Sequence, residues 1–384
     1  MSTVLRAIVA FLFFFRPAIF HPSLPGTIII LPLAFWGLGC KRKSALFPIT
    51  SLGLVFNLSL IFILIWSLTI DLVSGGLFSA GLRSQFATAL RFVLYIFIAY
   101  SFVFHLCPDA SAVRRAVIHA VVIQIAIAVI MLVSSSAKIF FYKSLSGYSG
   151  AEKVFRDHFF SVRIFGWSEE LFFTAPVFIV LAVLVFGPFR SFYRYPAFAV
   201  TSLIALMNAR VALVSFALLG VRFKDVLFSI IFCMFLIMIV ALGLSPIGGR
   251  AGDIVAYIAA DFSSGGSRTV QILLNDQLVF PDNIVGWVLG NGLYFYGAAA
   301  ESTSDIGYVI VLQFGGVLYL LAWVFLFLSL IFRAVFGWGV RVLLVLIFLA
   351  LAFKGLVFSG NAFTAFLLVL AFYGKRFGAA SCWK

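Results

Sequence analysis

The feature that most constrains this chain is its succession of long apolar runs, which are separated by short polar segments. Stretches such as FLIMIVALGL at 235–244 are apolar on every side, whereas the strands of a membrane barrel alternate apolar and polar residues. Helices are the other structure that satisfies every backbone hydrogen bond in lipid. With 64% hydrophobic and 10% charged residues, the chain has no polar shell for a water-soluble domain. The sequence therefore predicts an all-α, polytopic transmembrane protein.

We expect a single integral membrane domain over residues 1–384, with about twelve spans, because a helix needs about 20 residues to cross the hydrocarbon. The first apolar run lacks a small-residue cleavage site and is interpreted as a retained helix. The predicted spans are 4–15, 24–39, 52–70, 86–106, 116–134, 171–187, 195–208, 211–221, 226–244, 306–332, 342–358 and 360–373.

The distribution of charge predicts the orientation of these spans. Short cytoplasmic connections of membrane proteins carry an excess of Lys and Arg. With the N-terminus inside, the cytoplasmic segments contain 14 Lys or Arg and, of the acidic residues, only Asp109 and Asp225. Both termini are therefore predicted to be cytoplasmic, and the net charge of +14 needs no nucleic-acid partner. These segments are 40–51, 107–115, 188–194, 222–225, 333–341 and the C-terminal tail.

Two connections on the opposite face are long, at about 135–170 and 245–305. Long loops in compact folds are usually functional or disordered. Within the second loop, the apolar stretches VQILLNDQLVF and NIVGWVLG predict short amphipathic helices that lie at the membrane interface.

Familiar catalytic motifs are missing from the sequence. It contains neither a phosphate-binding GxxxxGK[ST] loop nor His or Cys pairs with zinc spacing. We therefore expect no metal and no cofactor.

Arg residues at or below the outer face are the candidate ligand-binding groups. Arg210 lies between the unusually short spans 195–208 and 211–221, and such short segments often border a binding site. A guanidinium offers a planar fork of donors that matches phosphate, and an intramembrane Arg is a functional hypothesis by default. The alternative is an Arg that extends to the headgroups. Arg163 and Arg268 are the other members of the set, and each by itself is also compatible with an ordinary loop charge.

The acidic candidates are Glu301 and Asp305, where the chain re-enters the membrane. Either carboxylate is placed to take a proton from a sugar hydroxyl. The alternative for Asp305 is a helix cap, because free backbone amides and the helix dipole stabilise carboxylates at a helix N-terminus.

Residues 160–330 resemble the O-antigen polymerases, which are relatives of the O-antigen ligases. The resemblance lies in Arg163 of RIFG, in NARVALVSFALLG at Arg210, and in GSR, GNG, SDIGY and QFGG between Gly266 and Gly316. Asn-Ala stands before Arg210 in place of the usual Gly-Ser. The ligases usually carry a His in the large loop, and 245–305 has none, which favours a polymerase.

This resemblance implies a metal-independent glycosyltransferase at the periplasmic face of a bacterial inner membrane. Its donor and acceptor would be polyprenyl-diphosphate-linked glycans, and its other partners would be membrane lipids and a chain-length regulator protein. Arg210, Arg268 and Arg163 would hold the diphosphate, and Asp305 or Glu301 would activate the acceptor hydroxyl. Trp287, Tyr294, Phe295 and Tyr296 would stack on sugars, or else they are ordinary interface aromatics. The alternatives are a ligase, a lipid-linked oligosaccharide flippase or other transporter, and a structural or assembly protein without activity.

Overall fold

The computed structural model describes the chain at 2–17, 29–32, 47–73, 85–134, 136–137, 140–141, 174–186, 200–201, 204, 278–293, 306–334, 338–354 and 357–378. Within these residues the backbone forms helices and short connections, and none of it is a strand. The predicted all-α class is therefore confirmed for the described part of the chain.

In chain order, the helices of these ranges are α1 (Thr3–Phe15), α2 (Phe47–Thr50), α3 (Leu54–Val73), α4 (Gln85–Ser101, continued by a π-helical turn at Phe102–Leu106), α5 (Ala110–Val133), α6 (Thr174–Phe186), α7 (Ile284–Leu289), α8 (Gly307–Arg333), α9 (Trp338–Lys354) and α10 (Ala362–Phe377).

Among the described residues, four helical segments are long and apolar enough to cross a membrane. They are α3, α4 with its π-helical turn, the Ala110–Met131 part of α5, and α8. Helices α1, α6 and α9 are also apolar but shorter. The chain is therefore a helical membrane protein, as predicted. The total of about twelve spans, the large loops and the orientation remain predictions.

Hydropathy locates most of the described helices closely. The predicted spans 4–15, 52–70, 86–106, 171–187 and 306–332 agree with α1, α3, α4 with its turn, α6 and α8 to within three residues at either end. The spans 342–358 and 360–373 correspond to α9 and α10, with ends shifted by up to four residues. Of 24–39 only 29–32 are described, and of 195–208 only 200, 201 and 204; the spans 211–221 and 226–244 lie outside the described residues.

The start of α5 corrects one predicted boundary. Residues 107–115 were predicted to be a connection, but the helix begins at Ala110 rather than at 116. Asp109 is the reason, because its side chain caps the helix by accepting a hydrogen bond from the Ala112 N–H at 2.7 Å. A capping carboxylate extends the helix into a polar stretch that hydropathy assigns to the connection.

The chain divides into two compact units. Unit 1 comprises 1–33, 106–267 and 380–384, and unit 2 comprises 34–105 and 268–379. The expected single membrane domain over 1–384 stays a prediction.

In unit 1, α5 packs against α1 and against α6. Phe14 of α1 stacks on Phe178 of α6 at 4.3 Å between ring centroids, and Phe15 meets the same ring edge-on. The side chain of Arg6 donates from Nε to the carbonyl of Leu106 at 2.9 Å. The aromatic contacts join α1 and α6 within this unit.

In unit 2, α8 is the central helix and packs against α3, α7, α9 and α10, while α4 packs against α3 and α10. Its core is aromatic: Trp323 and Phe327 of α8 both contact Phe92 of α4 and Phe358, and Phe327 stacks on Phe348 of α9. All five side chains are completely buried. The Phe-rich composition thus supplies the interior of this unit.

Basic side chains gather at one end of unit 2. Arg333, at the end of α8, and Lys375, near the end of α10, both donate to the carbonyl of Ser51, at 3.2 and 3.4 Å. Arg376 donates to the carbonyl of Val103. Ser51, Arg333 and Lys375 come from three segments that the charge pattern assigns to the cytoplasm. Their convergence agrees with that assignment, although it does not show which side of a membrane they face.

Candidate functional site

The most distinctive feature of unit 2 is a break in the central helix α8. Gly316 has φ 73° and ψ −175°, which is far from helical geometry, and the helix resumes immediately after it. Residues with a side chain rarely adopt such a positive φ, so glycine is required here. The dipeptide Gly315-Gly316 divides α8 into a short first piece, 307–315, and a long second piece, 317–333.

Carbonyl groups beside the break find partners outside the helix. The carbonyl of Gln313 accepts from the backbone N–H of Asn291 at 2.7 Å, and that of Phe314 accepts from Gly292 at 3.1 Å. The carbonyl of Gly315 accepts from the indole Nε1–H of Trp66, in α3, at 3.0 Å. A buried carbonyl without a partner is costly in hydrocarbon, so these three bonds make the break tolerable within a membrane helix.

Glycines allow the 278–293 segment to approach α8 backbone to backbone. A Cβ atom on Gly290, whose φ is 84°, would collide with the carbonyl of Phe314. One on Gly316 would collide with the carbonyl of Val288. Bulkier residues at either position would push the segment away from the helix and break the two backbone hydrogen bonds. The GNG and QFGG sequences therefore form the two sides of one contact.

Side-chain amides reinforce this contact. Asn291 Nδ2 donates to Gln313 Oε1 at 3.0 Å, and Gln313 Nε2 donates to the carbonyl of Val279 at 2.9 Å. Gln313 is buried, with only 2% of its surface exposed. Asn283 caps the short helix α7 by accepting from the Gly286 N–H at 2.7 Å. The segment is thus held to α8 near both of its ends, and its middle is shaped by the cap of α7.

A second polar group lies beside the break, on α3 and α8. Asp71 and Ser67 of α3 and Tyr319 of α8 are completely buried. Both α3 side chains lie close to Tyr319, and Asp71 accepts a hydrogen bond from the Phe86 N–H at the start of α4 at 2.8 Å. The Tyr319 hydroxyl and the Trp323 indole Nε1 are also buried here, and the two rings meet edge-on at 6.3 Å between centroids. Buried polar side chains therefore cluster beside the break in α8.

We call these residues the polar layer: Trp66, Ser67, Asp71, Asn291, Gln313 and Tyr319. Its depth follows from helix length. From Arg333 back to Gly316, α8 is about 26 Å long at 1.5 Å per residue, and from Leu54 to Asp71 α3 is about 26 Å long. The hydrocarbon core is about 30 Å thick. Gly316 and Asp71 therefore both lie about 26 Å along their helices from the basic end, slightly less than the thickness of a hydrocarbon core.

The predicted substrate-binding and catalytic residues stay predictions. Those expected to bind or transfer the substrate lie outside the described residues: Arg163, Arg210, Arg268, Tyr294, Tyr296, Glu301 and Asp305. Ile306, which follows Asp305, is buried at the start of α8. Trp287 is described: it is 40% exposed and stacks on Phe280 at 5.5 Å. No group of three or more potential metal ligands occurs in the part of the chain that the structure describes.

Asp71, Asn291 and Gln313 were not among the site residues predicted from the sequence. Asp71 offered a signal, since it is an acidic residue near the end of an otherwise apolar helix. The glycine motifs at 290–292 and 315–316 were noted for their resemblance to a family, but their pairing was not foreseen. No protein-family model and no curated protein sequence matches this chain.

Proposed function

We propose that this protein is an O-antigen-type polymerase, which joins polyprenyl-diphosphate-linked oligosaccharide repeat units at the outer face of a bacterial inner membrane. The observation that carries the proposal furthest is the polar layer, of which Ser67, Asp71, Gln313 and Tyr319 are buried and which we infer to lie near the boundary of the hydrocarbon. A lipid diphosphate has its reactive centre at this depth, with its tail in the hydrocarbon and its sugars in water. Gln313, a member of this layer, belongs to QFGG, one of the sequence motifs that resemble the family.

The chemistry follows from the residues proposed above. Arg210, Arg268 and Arg163 would hold the diphosphate and stabilise the charge that develops on it as the glycosidic bond breaks. Asp305 or Glu301 would take the proton of the acceptor hydroxyl. The new bond joins the acceptor oxygen to the donor sugar, and the polyprenyl diphosphate leaves with its electron pair. No step needs a metal or a redox partner.

The decisive experiment measures polymer in a strain that lacks the chromosomal gene and carries plasmid variants. Arg210→Ala should leave almost no polymer, since removing one preorganised donor lowers rates by about 10²–10³. Arg210→Lys should restore only part of it, because an ammonium keeps the charge but loses the bidentate fork. Lys143→Ala, a loop charge of the same sign, is the control and should polymerise normally. All variants must insert at equal levels.

A flippase is the second candidate, because helices broken within the membrane often form the substrate sites of transporters. The same strains separate the two functions. A polymerase defect leaves single repeat units on the outer side, where a ligase can still attach them. Repeat units trapped on the cytoplasmic side in the Arg210→Ala strain would assign transport instead.

Chelation tests the metal-independent part of the proposal. Purified protein in nanodiscs should polymerise at the same rate after treatment with EDTA. Loss of activity in EDTA with recovery on adding Mg²⁺ would instead indicate a glycosyltransferase class in which the metal neutralises the diphosphate.

A further inference from the structure

Helix α7 presents an unusual surface for so short an element. Its six residues, Ile284–Leu289, are all apolar or glycine, and only Gly286 is buried. Ile284 is 79% exposed and Val285 is 61% exposed. We call the following exposed residues the α7 patch: Phe280, Ile284, Val285, Trp287, Val288 and Leu289. Proteins in water rarely expose so continuous an apolar surface without a partner.

The patch is fixed to the protein rather than loosely tethered. Gly286 faces inward, where Pro281 and Asn291 leave no room for a side chain. Asn291 and Gly292 donate backbone hydrogen bonds to α8, and Gln313 bonds to the carbonyl of Val279. Polar contacts thus hold the inner side of the segment, and its apolar side chains point away from the protein.

The level of the patch identifies what covers it. Val288 and Gly290 approach α8 at Gly316, which lies about 26 Å along the helix from the basic end. Apolar residues of α8 and α3 that lie close in sequence to Gly316 and Asp71 are exposed too, including Leu318 at 43% and Leu72 at 50%. In a membrane helix that surface meets acyl chains. A hydrocarbon core about 30 Å thick extends to the patch as well.

We propose that α7 is an interfacial membrane anchor, with the α7 patch immersed in the acyl chains of the leaflet opposite the basic end. Trp287 suits this place, because its ring is amphipathic and tryptophan is enriched at the membrane interface. Asp282 and Asn283 precede the helix and are exposed, as groups at headgroup level should be.

One consequence concerns access to the polar layer. The anchor borders the break in α8, so a ligand with an apolar tail would reach the polar layer sideways from the bilayer, without leaving it. This consequence rests on the proposed function, whereas the anchor itself does not.

The test uses a photo-crosslinking residue, benzoylphenylalanine, placed singly in the full chain in phospholipid nanodiscs. Val285 and Ile284 are the test positions. Leu58, which is 58% exposed on α3, is the lipid-facing control, and Ser111, beside the cap of α5, is the polar control. Mass spectrometry identifies the adducts, and unchanged thermal midpoints show that the variants are folded.

We expect lipid adducts at 284 and 285 in yields comparable to those at 58, and few at 111. Adducts at 284 and 285 that join only protein, either within the chain or to a second copy, would overturn the anchor and show that protein covers the patch. Crosslinking requires no catalysis, so a failed polymerisation assay leaves this result unaffected.

Discussion

At the scale of single residues, glycines determine how closely the 278–293 segment and α8 can approach. We expect Gly316→Ala to lower the free energy of unfolding by at least about 2 kcal/mol, because a side chain at φ 73° is strained and also collides with the Val288 carbonyl. The measurement is an SDS-unfolding titration in mixed micelles.

Gly339→Ala is the matched control for this change. Gly339 lies in α9, and a Cβ atom there would meet nothing within 4 Å. Alanine favours helix by up to about 1 kcal/mol over glycine, so this variant should be equally or slightly more stable. Equal losses in both variants would show that the break does not depend on glycine at 316.

The pair of Asn291 and Gln313 gives a second prediction at this scale. A double-mutant cycle with Asn291→Ala and Gln313→Ala should show a coupling of about 1 kcal/mol in unfolding, because each amide loses the same 3.0 Å hydrogen bond. The single Gln313→Ala change should cost more than Asn291→Ala, since Gln313 also bonds to Val279. Strict additivity would contradict the contact.

At the scale of elements, the cap of α5 predicts a dependence on pH. Hydrogen bonds from the Ser111 hydroxyl and then the Ala112 N–H lower the pKa of Asp109 from its ordinary 3.8. A carboxyl whose pKa is depressed by folding stabilises the native state above its unfolded pKa, and this stabilisation is lost as the pH falls through the folded value. Stability should therefore decline below pH 3.8.

The check is an acid titration followed by the thermal midpoint of the protein in nanodiscs. Asp109→Asn keeps a capping oxygen but cannot titrate, and it should reduce the acid dependence. Ser111→Ala removes the first cause of the lowered pKa of Asp109, so the loss of stability in acid should be smaller and should be complete at a higher pH. If Asp109→Asn left the dependence of the thermal midpoint on acid pH unchanged, titration of Asp109 would not be the cause of that dependence.

Elements also show how far sequence alone leads. Hydropathy located α1, α3, α4, α6 and α8 because a span needs length and an apolar surface, and both are local properties. It missed the start of α5, because that start depends on one hydrogen bond from the Ala112 N–H to the side chain of Asp109. The break at Gly316 was not predicted either, since Gly-Gly in an apolar run is equally compatible with close helix packing. Its partners, Trp66 and Asn291, are distant in sequence.

The candidate site was predictable only in outline for the same reason. Apolar periodicity and charge indicate where a membrane protein has its faces, and they predicted a functional outer end. They do not show which distant polar groups meet. Asp71 is 15 residues from Phe86, and Trp66 is 249 residues from Gly315, so their contacts depend on the folded arrangement of α3, α4 and α8.

At the scale of the whole molecule, the remaining prediction is orientation. The basic end of unit 2 should face the cytoplasm, because Lys and Arg in short connections are retained there. Asp282, which precedes α7, should lie outside, and Gly339, which lies within the basic segment 333–341, should lie inside. Both are exposed, so cysteine at either position can react. The native cysteines are predicted to lie inside the cell or within a span, and the protein without an added cysteine therefore gives the background labelling.

The measurement adds a membrane-impermeant maleimide to intact spheroplasts and then to permeabilised ones. Asp282→Cys should react in both, and Gly339→Cys only after permeabilisation, because the reagent cannot cross the bilayer. The reverse pattern would place the polar layer on the cytoplasmic side, where nucleotide-activated sugars are found and where a flippase takes up its substrate. It would exclude polymerisation at the outer face. Labelling of both positions in intact spheroplasts would instead show that 282 and 339 share one side, contrary to α8 crossing the membrane between them.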